Sequence, residues 1–204
     1  MIAVLDYGIG NLRSAEKALQ HVGADARLTA DPDEAAAADG IVLPGVGAFG
    51  RCMEALRASG HDRVALDAVE RGVPLLAVCV GLQLLYDGSA ESPGVPGLGL
   101  CPGTVRRLPD GVRRPQMQWN RLDVQAGAER WLGAAPWVYF VHSYAAPMGP
   151  DVVATCDHGG PVVAAVERGA LWATQFHPEK SGAAGLAILA AFTAEVACPS
   201  SSRR

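Results

Sequence analysis

Short apolar runs alternate with amphipathic stretches along the first 80 residues of the chain. Residues 2–6 are mostly apolar, whereas residues 11–23 carry apolar side chains at helical spacing. The first pattern predicts a buried strand and the second a helix with one buried face. The alternation goes on to predict strands at 24–30, 40–45 and 73–79, a short helix at 31–39, and helical segments at 46–60 and 61–72. This order favours an α/β fold with a mostly parallel central sheet flanked by helices.

The second half of the chain has a different pattern. Residues 87–103 are rich in Gly, Pro and Ser, which predicts a loop. Shorter runs then predict the strands of a smaller antiparallel extension: "TVRRL", "WNRLDV", "WVYFVHSY", "VVATC" and "VVAAV". A strand at 170–178 and a helix at 181–197, with Ser181 as its N-cap, complete a single predicted domain of residues 1–197. Residues 198–204 should form a frayed tail.

Composition and charge exclude several classes of protein. Hydrophobic residues make up 50% and charged residues 19% of the chain, which is typical of a globular protein. The formal charge of -4 gives no general reason to bind nucleic acid or an anionic membrane. No apolar run reaches the ~18 residues of a membrane span, and the start does not resemble a signal peptide. The five cysteines are scattered and odd in number, so we expect no disulfide framework and a reducing cytoplasm.

One apolar stretch, "LLAVCVGLQLL" at 75–85, contains a cysteine at the end of a predicted strand. Ala77 and Gly81 are the small neighbours that a sharp strand-to-helix turn requires, as in the serine nucleophile elbow. Such a turn would hold the Cys79 thiol above the sheet, near a helix amino terminus that favours the thiolate. It would also aim the N–H of Val80 at an oxyanion. A buried core thiol is the alternative, and this stretch by itself leaves both open.

The segment "TQFHPEK" at 174–180 contains a possible base for this cysteine. His177 follows the last predicted strand, so it should lie at the same sheet edge as Cys79. Pro178 fixes the backbone, and Glu179 can then hold one imidazole nitrogen. Alone, His-Pro-Glu is also a common solvated turn. Together with a cysteine at a neighbouring strand end, it predicts a catalytic triad.

The loop "LPGVGAFG" at 43–50 follows the third predicted strand. Elbow enzymes take a second oxyanion donor from this place. Gly45 and Gly47, on either side of Val46, allow the backbone to approach a substrate closely or to flip a peptide. A plain glycine turn is the alternative. No P-loop or GxGxxG follows a strand and no metal-ligand spacing is present, so we expect neither a metal nor a cofactor.

These motifs together resemble the class I, or triad, glutamine amidotransferases, which have a flavodoxin-like fold. From Ile2 to about Val196 the chain is similar to the glutaminase subunits of imidazole glycerol phosphate synthase. The similarity rests on "DYGIGNLRS", "LPGVGAFG", "CVGLQLL", "GLGLCPGTVRRL", "PQMQWN", "YFVHSY" and "QFHPEKSG". The chain departs from the family's pattern at Ala77 and Gln118, where glycine is usual, and at Val80, where leucine is usual.

The resemblance implies a role for each matching residue. Cys79 would attack the side-chain amide of glutamine, while His177 transfers protons and Glu179 orients it. Water would then release glutamate from the thioester. The oxyanion would be held by N–H groups of Val80 and of the Gly45–Val46–Gly47 loop. The positions that match holders of the substrate's amino-acid end are Gln83, Ser143 and Tyr144.

The resemblance also implies a partner. Ammonia would cross into a barrel-shaped cyclase subunit that makes imidazole glycerol phosphate and aminoimidazole carboxamide ribotide in histidine biosynthesis. Trp119, Asn120 and Lys180 match the side that faces this cyclase, although a tryptophan in a strand is also typical of a core. Two alternatives stay open, namely the glutaminase of another pathway and a catalytically silent regulatory module.

Overall fold

The computed structural model describes residues 1–198, so residues 199–204 of the predicted tail lie outside the described part. The first half contains β1 (Ile2–Leu5), α1 (Leu12–His21), β2 (Ala26–Thr29), α2 (Pro32–Ala36), β3 (Gly40–Gly45), α3 (Phe49–Ala58), α4 (His61–Glu70), β4 (Leu75–Cys79) and α5 (Val80–Leu84). Every strand and helix that the sequence predicts here is present, with bounds that differ by a few residues.

The second half is built mainly of strands. It contains β5 (Tyr86–Ser89), β6 (Cys101–Arg107), β7 (Gln116–Arg121), β8 (Asp123–Val124), α6 (Glu129–Leu132), β9 (Trp137–His142), β10 (Tyr144–Ala145), β11 (Val152–Asp157), β12 (Pro161–Arg168), β13 (Leu171–Thr174), a 3-10 turn (Pro178–Lys180) and α7 (Gly182–Ala197). The prediction of a loop over 87–103 is wrong at both ends, because the first residues belong to β5 and the last to β6. These two strands pair with each other in parallel. The strand predicted at 137–144 is divided between two sheets.

One eight-stranded sheet has the order β2-β1-β3-β4-β13-β12-β11-β8. Its first five strands are parallel, and the last three continue it in antiparallel fashion. The parallel part has the strand order of flavodoxin. Two small sheets, β10-β6-β5 and β7-β9, complete the architecture. The predicted α/β fold, with a mostly parallel sheet and a smaller antiparallel extension, is confirmed.

The central parallel strands form the core and bring three strand ends together. Every residue of β1, β3, β4 and β13 is buried, which explains their unbroken apolar runs. Gly45 lies opposite Cys79, and Thr174 lies opposite Val78. The carboxyl ends of β3, β4 and β13 are therefore side by side, at the edge where open α/β sheets bind ligands. None of the helices in residues 1–198 is long and apolar enough to cross a bilayer.

Candidate active site

Cys79 lies at the junction between β4 and α5. Its φ of 57° makes it the only non-glycine residue with a positive φ among residues 1–198. This backbone conformation is costly for a residue with a Cβ, so the packing around it has to hold it. Gly81 is required by that packing, since a Cβ there would lie 2.1 Å from the carbonyl oxygen of Leu43. The turn thus has the sharp geometry that the small-residue spacing predicts.

His177 follows the end of β13, and its imidazole is buried. Its Nδ1 lies 2.8 Å from Oε1 of Glu179. This contact leaves Nε2 for Cys79, the other side chain that hydrogen-bonds to the imidazole. Burial lowers the pKa of His177, but the hydrogen bonds and charges of Cys79 and Glu179 outweigh burial and raise the pKa to about 9. At neutral pH the imidazolium form is therefore favoured next to the sulfur.

Glu179 is nearly inaccessible, with 5% of its side chain exposed. Burial would raise the pKa of this carboxyl, but its hydrogen bond to His177 and the charge there outweigh burial and lower it. Asn11 also contributes, because its Nδ2 lies 3.4 Å from Oε1 of Glu179. Asn11 precedes α1 but makes no side-chain cap there, so its amide serves the carboxylate instead. The buried carboxylate stays ionised and orients the imidazole.

The sulfur and the imidazole open into a cavity of about 580 Å³. The cavity is lined by these predicted site residues: Val46, Gly47, Cys79, Val80, Gln83, Ser143, Tyr144, His177 and Lys180. Gly45 lies behind it, packed so closely on α5 that a Cβ would be 2.7 Å from the backbone nitrogen of Gly81. The fold thus brings side chains that are distant in the sequence to one pocket at the predicted sheet edge.

Two buried side chains hold the loop that follows β3. The hydroxyl of Tyr7 donates to the carbonyl oxygen of Pro44 at 2.5 Å, and the Cys52 thiol donates to that of Val46 at 3.2 Å. These contacts fix the carbonyls on either side of the Gly45–Val46 peptide. The local sequence does not mark either residue as a partner of the loop.

The chain matches known proteins over nearly its whole length. The family model "Glutamine amidotransferase class-I" matches residues 3–196. The imidazole glycerol phosphate synthase subunit HisH of Deinococcus radiodurans is 48% identical over 202 residues, which cover 96% of this chain and 94% of that protein. HisH of Mycobacterium tuberculosis is 50% identical over 94% of this chain and 96% of that protein. The chain belongs to the class I glutamine amidotransferases.

Within that family its similarity is to HisH subunits, as a further match from Methanothermobacter thermautotrophicus shows at 50% identity over 94% of this chain and 97% of that protein. Solved structures have the same fold at lower identity. PurLQS from Thermotoga maritima superposes with a TM-score of 0.75 at 20% identity, covering 96% of this chain and 98% of that one. A crystal structure of a glutamine amidotransferase gives 0.73 at 23% identity, covering 93% and 98%. The family predicted from the motifs is confirmed.

Gln83 of this amidotransferase is buried in the cavity wall. Its Nε2 donates to the carbonyl oxygen of Tyr144 at 2.9 Å and to Oε1 of Gln175 at 3.0 Å. Both amide hydrogens are used in these bonds, so Oε1 is the atom that Gln83 has left for a ligand. Ser143 and Tyr144 are half-buried beside it, in the segment where β9 passes into β10.

Glu91 also lines the cavity, although no motif in the sequence singles it out. Its Oε2 accepts a hydrogen bond from the backbone N–H of Phe49 at 2.8 Å. Within the described chain it is the only carboxylate that lines this cavity. It lies in the segment 87–103. The composition of this segment predicts a loop but does not indicate which part of the protein the loop contacts.

The residues predicted to face a partner have different surroundings. Trp119 is 49% exposed and meets Tyr139 edge-on at 6.0 Å between ring centroids, so it is not a core residue. Lys180 is exposed at the cavity mouth. The Asn120 amide donates to the carbonyl oxygen of Asp157 at 2.8 Å and is thus used within the chain.

Ser181 occupies the N-cap position of α7, but its hydroxyl does not cap the helix. The hydroxyl donates to the carbonyl oxygen of His177 at 2.6 Å and accepts from the N–H of Tyr139 at 3.0 Å. The predicted cap is therefore wrong, because partners outside the helix occupy the side chain. The N–H of His177 also donates to the carbonyl oxygen of Tyr139 at 3.0 Å. These bonds fix the backbone that carries the imidazole.

Proposed function

We propose that this chain is the glutaminase subunit of an imidazole glycerol phosphate synthase, with its machinery in one domain of residues 1–197. It would hydrolyse glutamine to glutamate and ammonia through a thioester on Cys79. The observation that carries this proposal is the buried row of Cys79, His177 and Glu179, of which Cys79 and His177 line one cavity. The identity of about half to HisH subunits supports this pathway over other glutaminases, and the intact row argues against a silent module.

The proposed reaction follows from the protonation state of His177 next to Cys79. The raised pKa of His177 favours an imidazolium next to a thiolate, which is the nucleophilic form of cysteine. The thiolate of Cys79 attacks the carboxamide carbon of glutamine, and the imidazolium then donates a proton to the leaving nitrogen. The neutral imidazole next takes a proton from water, whose oxygen attacks the thioester and releases glutamate. Glu179 keeps the imidazole oriented through both steps.

The negative charge that develops on the amide oxygen needs donors on the far side from the sulfur. The N–H of Val80 begins α5 next to the nucleophile. Val46 and Gly47 line the same cavity and supply the second N–H in this proposal. Gly45 contributes by letting the loop pack against α5. Donors placed in this way are typically worth about 10²- to 10³-fold in kcat each.

The amino-acid end of glutamine carries one positive and one negative group. We assign the ammonium group to Glu91 and to Oε1 of Gln83, since both are acceptors in the cavity wall. The carboxylate of the substrate would lie against the segment of Ser143 and Tyr144. In this arrangement the two hydrogen-bond acceptors, the carboxylate of Glu91 and Oε1 of Gln83, face the positively charged group of the substrate.

We further propose that ammonia passes to a cyclase subunit docked on the β7–β9 hairpin. The hairpin exposes three large apolar side chains on the described surface: Met117 at 54%, Trp119 at 49% and Trp137 at 58%. Exposed tryptophans of this kind are typical anchors of protein interfaces. Lys180 lies at the cavity mouth and would face the same partner, and Asn120 would support the hairpin from within the chain.

The compartment in this proposal is the cytoplasm. The cysteines of residues 1–198 are all free thiols, and four of the five are buried. A reducing environment keeps such thiols intact, including the nucleophile.

Glutamate release in the presence of a cyclase tests the proposal. The chain is mixed with the cyclase subunit of a HisH relative, with and without the cyclase's nucleotide ligand. We expect the loaded complex to release glutamate faster than the lone chain. Cys79→Ala should release none and should leave synthesis from added ammonium intact. A chain that hydrolyses glutamine but gains nothing from any loaded cyclase would contradict the proposed partner, and a chain that releases no glutamate would contradict the reaction.

A further inference from the structure

Gln175 is a buried amide next to the reactive sulfur, and neither the triad nor the substrate-binding roles account for it. It is the first residue after β13, and its side chain is fully buried. Thr174, the last residue of β13, lies opposite Val78 in the sheet, so the next residue of the chain comes beside Cys79. The Nε2 of Gln175 lies 3.8 Å from the sulfur of Cys79.

The surrounding hydrogen bonds decide which end of this amide faces the sulfur. The carbonyl oxygen of Tyr144 can only accept, so the nitrogen of Gln83 must face it at 2.9 Å. The second hydrogen of that nitrogen is donated to Oε1 of Gln175 at 3.0 Å. A flipped Gln175 would place two NH₂ groups against each other and an oxygen against the sulfur. Gln175 therefore presents its N–H to Cys79.

We propose that Gln175 is a further catalytic residue, which donates an N–H···S hydrogen bond to the Cys79 thiolate, and that Gln83 is the positioning residue that orients it. The inference rests on the proposed function, since it assumes that Cys79 is the nucleophile. The bond stabilises the thiolate before attack and again when the thioester breaks and the sulfur leaves. No proton is transferred to or from Gln175 in either step.

The chain of bonds also reaches the substrate site. The carbonyl of Tyr144, the amide of Gln83, the amide of Gln175 and the sulfur of Cys79 form one continuous row. The end of this row lies in the cavity wall that we assign to the amino-acid end of glutamine. A substrate that contacts Gln83 is thus three hydrogen bonds from the nucleophile.

The test is the rate of alkylation of Cys79 by iodoacetamide as a function of pH, in the full chain without glutamine. Peptide mass spectrometry distinguishes Cys79 from the exposed Cys198. Gln175→Met keeps the length of the side chain and removes the N–H. We expect its alkylation at pH 7 to be about tenfold slower, which is the size of one charge-assisted hydrogen bond, and its pH profile to move to higher pH.

A matched control exists elsewhere in the molecule. Gln116 is also buried, and its Nε2 lies 3.4 Å from the sulfur of Cys156. Gln116→Met removes the same kind of amide from a different thiol and should leave the Cys79 profile where it is. Gln83→Met should slow Cys79 alkylation because Gln175 loses its orientation. The double variant of Gln83 and Gln175 should then be no slower than Gln175→Met alone.

The outcomes separate this inference from the function on which it rests. A Gln175→Met protein that is folded by circular dichroism, yet has the wild-type alkylation profile, would overturn the role of Gln175. Additive losses in the double variant would overturn the orienting role of Gln83. Failure of the wild-type protein to release glutamate with a loaded cyclase would instead count against the proposed function.

Discussion

Two buried cysteines of this protein each have a glutamine amide next to the sulfur, but only one has the surroundings of a nucleophile. Cys156 lies within an antiparallel strand, β11, with the Nε2 of Gln116 at 3.4 Å from its sulfur. Cys79 ends a parallel strand, with Gln175 at 3.8 Å. Both residues are buried, with 3% of Cys79 and 2% of Cys156 exposed. The contact that they share therefore cannot be what distinguishes them.

The difference lies in the charge near each sulfur. Burial raises the pKa of Cys156 to about 11, and the amide of Gln116 opposes this without overcoming it. Cys79 has in addition the imidazole of His177, which is held as a cation by Glu179. The two sulfurs thus share an amide contact and differ in the imidazole next to Cys79, which supplies the base that a nucleophilic cysteine needs.

The comparison makes its strongest prediction for the loss of each thiol. Cys79→Ala should lower kcat for glutamine hydrolysis by at least about 10³-fold, because no other group replaces the nucleophile. Cys156→Ala should leave kcat unchanged and cost roughly 1 kcal/mol in the free energy of unfolding. Glutamate release and urea denaturation measure the two effects. Comparable kcat losses in both variants would contradict the assignment of the nucleophile to Cys79 alone.

Removing the charge that holds the imidazole should make the surroundings of Cys79 more like those of Cys156. Glu179→Gln keeps the shape of the side chain and should lower kcat by roughly 10²- to 10³-fold. The pKa of His177, about 9 in the wild-type protein, should fall in this variant. NMR titration of the imidazole measures it, and an unchanged pKa would show that Glu179 does not support the cation.

A third buried cysteine extends the comparison to the loop after β3. Burial raises the pKa of Cys52 to about 11, so its thiol stays protonated and donates to Val46. Cys52→Ala should lower kcat by roughly tenfold, less than the loss of an oxyanion donor, with KM nearly unchanged. Cys52→Ser keeps a donor and should recover most of the activity. Equal kcat values in the alanine and serine variants would contradict the role of the thiol as a donor.

The smallest predicted effect is a pH dependence of stability. The folded-state pKa of His177 is raised to about 9, above the ordinary value of about 6.5. Its contribution to stability should be fully present below pH 6.5 and should be lost as the pH rises through 9. Urea denaturation at pH 6.5 and 9.5 should thus show a larger loss for the wild-type protein than for Glu179→Gln. An identical loss in both would contradict the raised pKa.

The fold could be predicted wherever the signal is local. The unbroken apolar runs at 40–45 and 73–79 match β3 and β4 because these strands are buried on both faces. The strand β5 and the first residues of β6 were missed because their pairing depends on each other and not on their own composition, whereas the rest of β6 matches the predicted strand "TVRRL". The small residues around Cys79 also carry a local signal, since the turn itself requires Gly81.

The supporting contacts of the site could not be predicted in this way. Asn11 and Glu179 are 168 residues apart, and no spacing rule joins them. Ser181 follows the N-cap rule in its position, yet a neighbouring strand and a preceding carbonyl occupy its hydroxyl. The proposed role of Gln175 depends on the orientation of its amide, which the hydrogen bond from Gln83 determines. Tertiary contacts decide these roles, and residue type does not.

The hydrogen bonds among Tyr139, His177 and Ser181 join the proposed docking surface to the candidate active site. Tyr139 belongs to the hairpin with the exposed tryptophans, and both its N–H and its carbonyl are tied to the segment that carries the imidazole. One of these bonds joins the peptide groups of Tyr139 and His177 directly, and the other runs through the hydroxyl of Ser181. A subunit docked on that hairpin, as proposed above, would therefore contact a strand that is hydrogen-bonded to the backbone of His177, without entering the pocket.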